Sequence, residues 1–175
     1  MERNLFALPS PVAVVGAEEA RLAERLRAAL PEGETLTQPG AAELIDPLLT
    51  MKQNAAYFRL NLPPEKAERL EELIKLSGLR KREIWEHRFR KDMVGEKALW
   101  RLIFTLLATS GPLFLPRALE GLTAAQRERL DAILAAEAAL GRPIVFTAAA
   151  LKDLAPLQAV KTVFVADGEE LREQS

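Results

Sequence analysis

Between Leu99 and Leu107 the apolar residues recur at helical spacing, and Leu99, Leu102, Ile103, Leu106 and Leu107 form one continuous stripe. The Ser110-Gly111 pair breaks that helix. The short apolar run Pro112-Leu113-Phe114-Leu115 that follows reads as a strand buried on both faces. Pro116 has no N–H for a ladder and ends it. Glu120-Gly121-Leu122 turns the chain into another helix, opened by Thr123 with Gln126 at capping-box spacing. Helix, buried strand, turn and helix make an α/β core unit, with Trp100 packed in it.

The same pattern organises the rest of the chain. After a lead-in broken by Pro9 and Pro11, Val12-Ala13-Val14-Val15-Gly16 reads as a buried, parallel-type strand. A helix over Ala17 to Leu30 follows, with Leu22, Leu26, Ala29 and Leu30 on one face and Pro31 and Gly33 ending it. Strand, glycine, helix is the framework on which phosphate-binding loops are built. Glu34 to Gln38 reads as a short strand. Thr50 with Gln53 repeats the capping-box spacing, and Pro63-Pro64 opens a helix whose core face is Leu70, Leu73, Ile74 and Leu76, stopped by Gly78. A shorter basic helix is expected over Arg80 to Lys91. Beyond the long helix from Thr123 to Leu140, PIVFT at Pro143 to Thr147 and KTVFVA at Lys161 to Ala166 are two further strands. Asp167-Gly168 is a hairpin turn signal, and the polar tail from Glu169 is expected to fray.

Composition removes several chemistries. The chain has 175 residues, no cysteine and one histidine, His87, so disulfides, thiolate sites and multi-histidine metal centres are excluded. Charged residues make up 28% and the net charge is −1, so no bulk field recruits nucleic acid or an anionic membrane. No apolar run approaches about twenty residues and no signal-peptide pattern opens the chain, so a cytoplasmic protein is expected. Abundant Ala, Leu, Glu and Arg with few Asn, Gln and Met suit a thermophile.

From Val14 to Leu171, order and spacing resemble the ATP-binding subunit of ABC transporters, of the exporter type. Val14-Val15-Gly16 matches the strand entering that family's P-loop, and Gln38 its Q-loop glutamine. LIDPLLTMKQNAAYFRLNLPPEKAERLEELIKLSGL resembles its helical subdomain. The signature motif falls on Asp92-Met93-Val94-Gly95-Glu96, and the Walker B strand with its acidic pair on Pro112 to Arg117. The SGLD turn falls on Glu120-Gly121-Leu122-Thr123. GRPIVFTAAAL matches the family's GRTVLFSTHDL, and VFVADGEEL its closing VLVLDGGRL.

The departures carry the functional expectation. A working P-loop, G-x-x-x-x-G-K-[ST], closes backbone amides on the phosphates and neutralises them with lysine. Here Gly16 remains, but Arg21 stands at the second glycine, Leu22 at the lysine and Ala23 at the magnesium-binding hydroxyl. Glu18 and Glu19 sit where a phosphate would approach, either as first-turn acids favoured by the helix dipole or as residues that repel the phosphate or occupy its place. By the resemblance, Pro116 replaces the Walker B aspartate, Arg117 the catalytic glutamate and Ala149 the switch histidine, while Met93 and Val94 replace the signature serine and first glycine, leaving Gly95. Without a metal-ligand set around it, Gln38 reads as an ordinary loop glutamine. Fifteen residues precede Gly16, too few for the antiparallel β-subdomain family members carry there, so the resemblance is to a truncated cassette. Phe6, the aromatic in that lead-in, reads as core or terminal packing.

The resemblance implies an α/β fold, a three-layer P-loop NTPase-like core with a parallel sheet. The expected organisation is a single domain over 1–175, with a helical subdomain at 41–92 inserted between 1–40 and 93–175. It implies a degenerate ABC subunit that does not hydrolyse ATP and binds neither ATP nor magnesium. Such a chain would serve as a structural or regulatory partner of a permease or of a competent ATPase subunit, with a dimer as one form. It would be cytoplasmic, held at the inner face of the membrane through the permease. A weakly nucleotide-binding subunit and a free-standing interaction scaffold are the alternatives. Arg80, Arg82, Trp85, Arg88 and Arg90 are the candidate partner contacts, against the plainer reading of a solvated helix with Glu83 and Glu86 as counter-charges. An RNA-binding reading has less behind it, for want of an RNA-recognition motif or a broad basic surface.

Overall fold

Four consecutive apolar residues, Val12–Val15, form strand β1, and all four are buried. A strand buried on both faces needs a neighbour on each edge, and β1 has two parallel ones. In this computed structural model, which describes residues 4–39, 45–168 and 170–174, the chain divides into two compact units. The first comprises Met1–Gln38, Ser110–Glu120 and Leu134–Ser175, and the second Pro39–Thr109 and Gly121–Ile133.

The first unit holds the sheet. Its other strands are β2 (Leu113–Leu115), β3 (Ile144–Ala148), β4 (Thr162–Asp167) and β5 (Glu170–Gln174), in the order β2-β3-β1-β4-β5. Val12 stands opposite Val145 of β3 and Thr162 of β4, and Leu113 opposite Ile144, all parallel. Helix α1 (Glu19–Ala28) places Leu22, Ala23 and Leu26 in one buried cluster with Leu5, Val12, Val14, Phe114, Val145 and Phe164. The short strand expected at Glu34 to Gln38 reduces to one bridge. There the Thr37 N–H donates to the Pro112 carbonyl at 2.9 Å and the Phe114 N–H donates to the Thr37 carbonyl at 2.8 Å.

The polar tail does not fray. Asp167 pairs with Glu170 across the turn at Gly168, and β5 runs back antiparallel along β4 to Gln174. The turn signal outweighs the polarity of ELREQ, which is tolerated because β5 is an edge strand with one solvated side. At the opposite end of the strands lies a buried ion pair. Arg142 and Glu137 are 7% and 5% exposed, with their charged atoms 3.6 Å apart. The Arg142 Nε also donates to the Gly111 carbonyl at 3.0 Å. Burial pushes the Arg142 guanidinium below its ordinary pKa, against the pull of Glu137. Removing one member of such a pair costs about 3–5 kcal/mol.

The second unit is helical: α2 (Met51–Leu60), α3 (Pro64–Ser77), α4 (Arg82–Trp85), α5 (Val94–Ala108) and the first part of α6 (Ala124–Ala139). It continues through α5 to Thr109, a helix that the sequence pattern groups with the buried strand after it. Both capping-box bonds form at the start of α2, Gln53 N–H to Thr50 at 3.2 Å and Thr50 N–H to Gln53 at 2.9 Å. Phe58 meets Phe104 edge-on at 4.0 Å, and Phe104 meets the fully buried Trp100 at 4.9 Å. The basic helix expected over Arg80 to Lys91 is only four residues long. After Trp85 the chain pairs with the start of α2: the Met51 N–H donates to the His87 carbonyl at 3.0 Å, and Arg88 bridges Thr50. Those contacts take backbone groups that a longer helix would have used internally.

The Thr123–Gln126 capping box also forms, with Thr123 N–H to Gln126 at 2.9 Å and Gln126 N–H to Thr123 at 3.3 Å. The Gln126 side chain occupies the space over Gly95, and a Cβ on Gly95 would overlap its amide. We therefore expect Gly95→Ala to displace Gln126 and undo the cap of α6. The expected loss in a urea unfolding experiment is about 1–2 kcal/mol, from an overpacked contact and a lost cap.

Candidate functional site

Because β1, β2 and β3 are parallel, their carboxyl ends open on one edge of the first unit. Strand β3 lies between β1 and β2, and the carboxyl ends of the strands are where open α/β sheets form a crevice. Three turns meet there. Gly16 leaves β1 with its N–H donating to the Ala148 carbonyl of β3 at 3.0 Å, and its φ of +71° is a conformation that glycine adopts without strain. Only Gly16, Ala17 and Glu18 separate β1 from the first residue of α1. Glu18 holds the N-cap position without a side-chain capping bond.

The opening residue of α1 supplies the chemistry. The Glu19 carboxylate accepts from Arg117 Nε at 3.2 Å to each oxygen, and from the Thr147 hydroxyl at 3.3 Å. The Arg117 N–H in turn donates to the Thr147 hydroxyl oxygen at 2.8 Å. Arg117 is the non-glycine residue with positive φ among the described residues, at +49°. That backbone costs an arginine about 1 kcal/mol and persists only where its surroundings hold it. The guanidinium also lies 3.7 Å from Glu120. Arg117 remains 67% exposed, so its ion pairs contribute at most about 1 kcal/mol.

Of the P-loop positions read from the sequence, Gly16, Arg21 and Leu22 line one cavity beside this edge. Arg21 is exposed on α1, while Leu22 and Ala23 point into the core cluster at 3% and 5% exposure. An open cavity of about 280 Å³ lies beside the turn, lined by Gly16, Glu18, Arg21, Arg25 and Leu171 among others. Pro116 is half-buried at the end of β2, and Ala149 is exposed after β3. The Ala150 N–H donates to Asp153 at 3.1 Å, closing a short 3₁₀ turn at Leu151–Leu154. Gln38 is half-buried just past the Thr37 bridge. Among the described residues, no three His, Cys, Asp or Glu side chains come together as a metal site would need.

The remaining candidates lie in the second unit. Met93 caps α5 and is buried, its sulfur accepting from the Arg90 N–H at 3.5 Å, and Val94 is exposed. Gly95 is buried beneath Gln126. Much of the basic cluster is already paired. Arg80 bonds to Glu71 and lies over the Trp85 ring at 5.6 Å, and Arg90 donates to both Asp92 oxygens at 3.2 and 3.3 Å. Those bonds hold the Asp92 carboxyl below the usual carboxylate range. Arg82 and Arg88 are exposed.

Thr147 is the residue that the sequence reading passes over. The signal was a hydroxyl near the end of an otherwise apolar strand, in IVFTA, where burial demands a partner.

No protein-family model matches the chain, and no curated protein matches it. Among solved structures the chain is similar to one described as the dimeric structure of MJ0796, a bacterial ABC transporter cassette. The TM-score is 0.61 at 10% identity, over 93% of this chain and 84% of that one. The likeness is one of fold, an α/β arrangement with a mostly parallel sheet and accompanying helices. No helix among the described residues is long and apolar enough to cross a membrane.

Leu22 discriminates between a core position and a phosphate-facing one. We expect Leu22→Lys to lower the unfolding free energy by about 3 kcal/mol in chemical denaturation, since it removes a buried apolar group and brings a charge to the core. A side chain that reached the crevice would tolerate lysine with little change.

Proposed function

We propose that this chain is an ABC-cassette-like protein that does not hydrolyse ATP and acts through protein contacts, as a structural or regulatory partner of a permease or of a competent ATPase subunit. The observation that carries this reading is the turn after Gly16. Three residues join β1 to α1, and the position matching the P-loop lysine is in the core. A phosphate-binding loop needs free backbone amides wrapped around the anion and a cation at its mouth. Here the mouth carries Glu18 and Glu19, and the cation Arg117 is turned onto Glu19.

ATP and magnesium would be the family's ligands, and the residues present do not fit them. Leu22 cannot neutralise a phosphate, Ala23 and Pro116 offer magnesium no oxygen side chain, and neither Arg117 nor Ala149 has a side-chain acceptor to take a proton from water. We derive no step through either group. On this reading the second unit, from Pro39 to Thr109 with Gly121 to Ile133, takes the part of the helical subdomain, where a permease would dock. Tyr57 and Leu60 on α2 are 68% and 85% exposed, and exposed aromatic and aliphatic side chains suit a protein contact, as does the Arg80–Trp85 pair. The dimer of the similar cassette makes pairing with a like subunit the second form of partnership, and a permease would hold the protein at the cytoplasmic face of the membrane.

Isothermal calorimetry with Mg-ATP, together with a phosphate-release assay, tests the nucleotide half of this proposal. The expected outcome is no saturable heat and no release above buffer. Micromolar binding or steady turnover by the wild-type chain would favour a nucleotide-binding subunit instead. Purification of the tagged chain from its own cells tests the partner half. A multi-span membrane protein or a second cassette subunit should come with it, and recovery of the chain alone from solubilised membranes and cytosol would favour a free-standing scaffold.

A further inference from the structure

We propose that Glu19, Arg117 and Thr147 form a latch that closes the crevice from within the chain, with the Glu19 carboxylate taking the place of an outside anion. The latch deepens the functional reading above and rests on it only for the identity of the crevice.

The three residues are far apart in sequence, 98 positions from Glu19 to Arg117 and 30 from there to Thr147, so each bond ties separate elements together. Thr147 is 4% exposed and uses both capacities of its hydroxyl, accepting from the Arg117 backbone and donating to Glu19. Only a hydroxyl can do both at one atom. The left-handed backbone of Arg117 aims its N–H at that oxygen, while the guanidinium reaches both oxygens of Glu19 through Nε. Glu19 lies in the first turn of α1, where the helix dipole favours a negative charge. The one carboxylate therefore satisfies a cation, a hydroxyl and a helix start together.

An anion arriving from solution would have to displace a carboxylate that is tethered beside its partners, and tethering raises its effective concentration to the millimolar range or above. Arg117 is nonetheless mostly exposed, so the latch is labile and can open without unfolding the unit.

Amide hydrogen exchange at residue 117 tests the latch, in the wild-type chain, Glu19→Ala, Arg117→Ala and the double variant. Glu18→Ala is the control, because it removes a neighbouring charge from the same helix start without touching Arg117 or Thr147. We expect exchange to rise about two- to fivefold in Glu19→Ala and in Arg117→Ala, as for an exposed ion pair. The double variant should rise no further than the single ones, and Glu18→Ala should stay at the wild-type rate. Inorganic phosphate should slow exchange at residue 117 saturably in Glu19→Ala and leave the wild type unchanged. Equal effects of Glu18→Ala and Glu19→Ala, additive effects in the double variant, or the same phosphate response in both proteins would overturn the latch. None of these readouts uses nucleotide. Wild-type binding of Mg-ATP with exchange at residue 117 unchanged would therefore count against the functional reading alone, and a failed exchange test against the latch alone.

Discussion

Leu22 and Ala23 pack with Val12 and Val14 of the central strand and with Phe164 of β4, and that packing fixes where α1 begins. A helix that must bury its fourth and fifth residues against the strand it follows has room for only a short turn between them. The chain meets this with Gly16, Ala17 and Glu18, and Gly16 supplies the left-handed backbone such a turn requires. The helix start then faces the ends of β2 and β3 across a narrow gap. An uncompensated first turn, a left-handed arginine and a buried hydroxyl would each be unfavourable there alone. Together they neutralise one another through Glu19.

This arrangement gives the sheet edge its character. Phosphate-binding sites of this architecture leave backbone amides and a cation open to the ligand. In this chain Leu22 packs in the core, and Glu19 pairs with Arg117. The same edge thus carries the Glu19–Arg117–Thr147 pairing beside an open cavity. The buried Glu137–Arg142 pair and the Arg142 bond to Gly111 fix the other end of the strands, so the sheet is tied at both of its ends by charge as well as by apolar packing.

Much of the fold was legible in the sequence because strand and helix signals there are local. VAVV and IVF are continuous apolar runs, and Thr50–Gln53 and Thr123–Gln126 mark helix starts by their capping-box spacing. The basic segment after Arg80 and the polar tail were misjudged for one reason: backbone partners from distant residues decided them. Met51 and Thr50 end the short helix at Trp85, and β4 recruits Glu170–Gln174. At the candidate site, the identities at Leu22, Pro116 and Ala149 were readable, and so was the negative charge at the helix start. The join between Glu19 and Arg117 was not, because nothing in the spacing of two residues 98 positions apart reveals an ion pair. Thr147 was hidden for the same reason, since its role exists only through both partners.

A crystal structure determined in the presence of Mg-ATP examines this account at its centre. Leu22 should remain in the core, α1 should still begin at Glu19, and the Glu19 carboxylate should still rest on Arg117 and Thr147 with no nucleotide at the turn. Unwinding of Glu19 to Arg21 around a bound triphosphate, with Arg117 released, would contradict it.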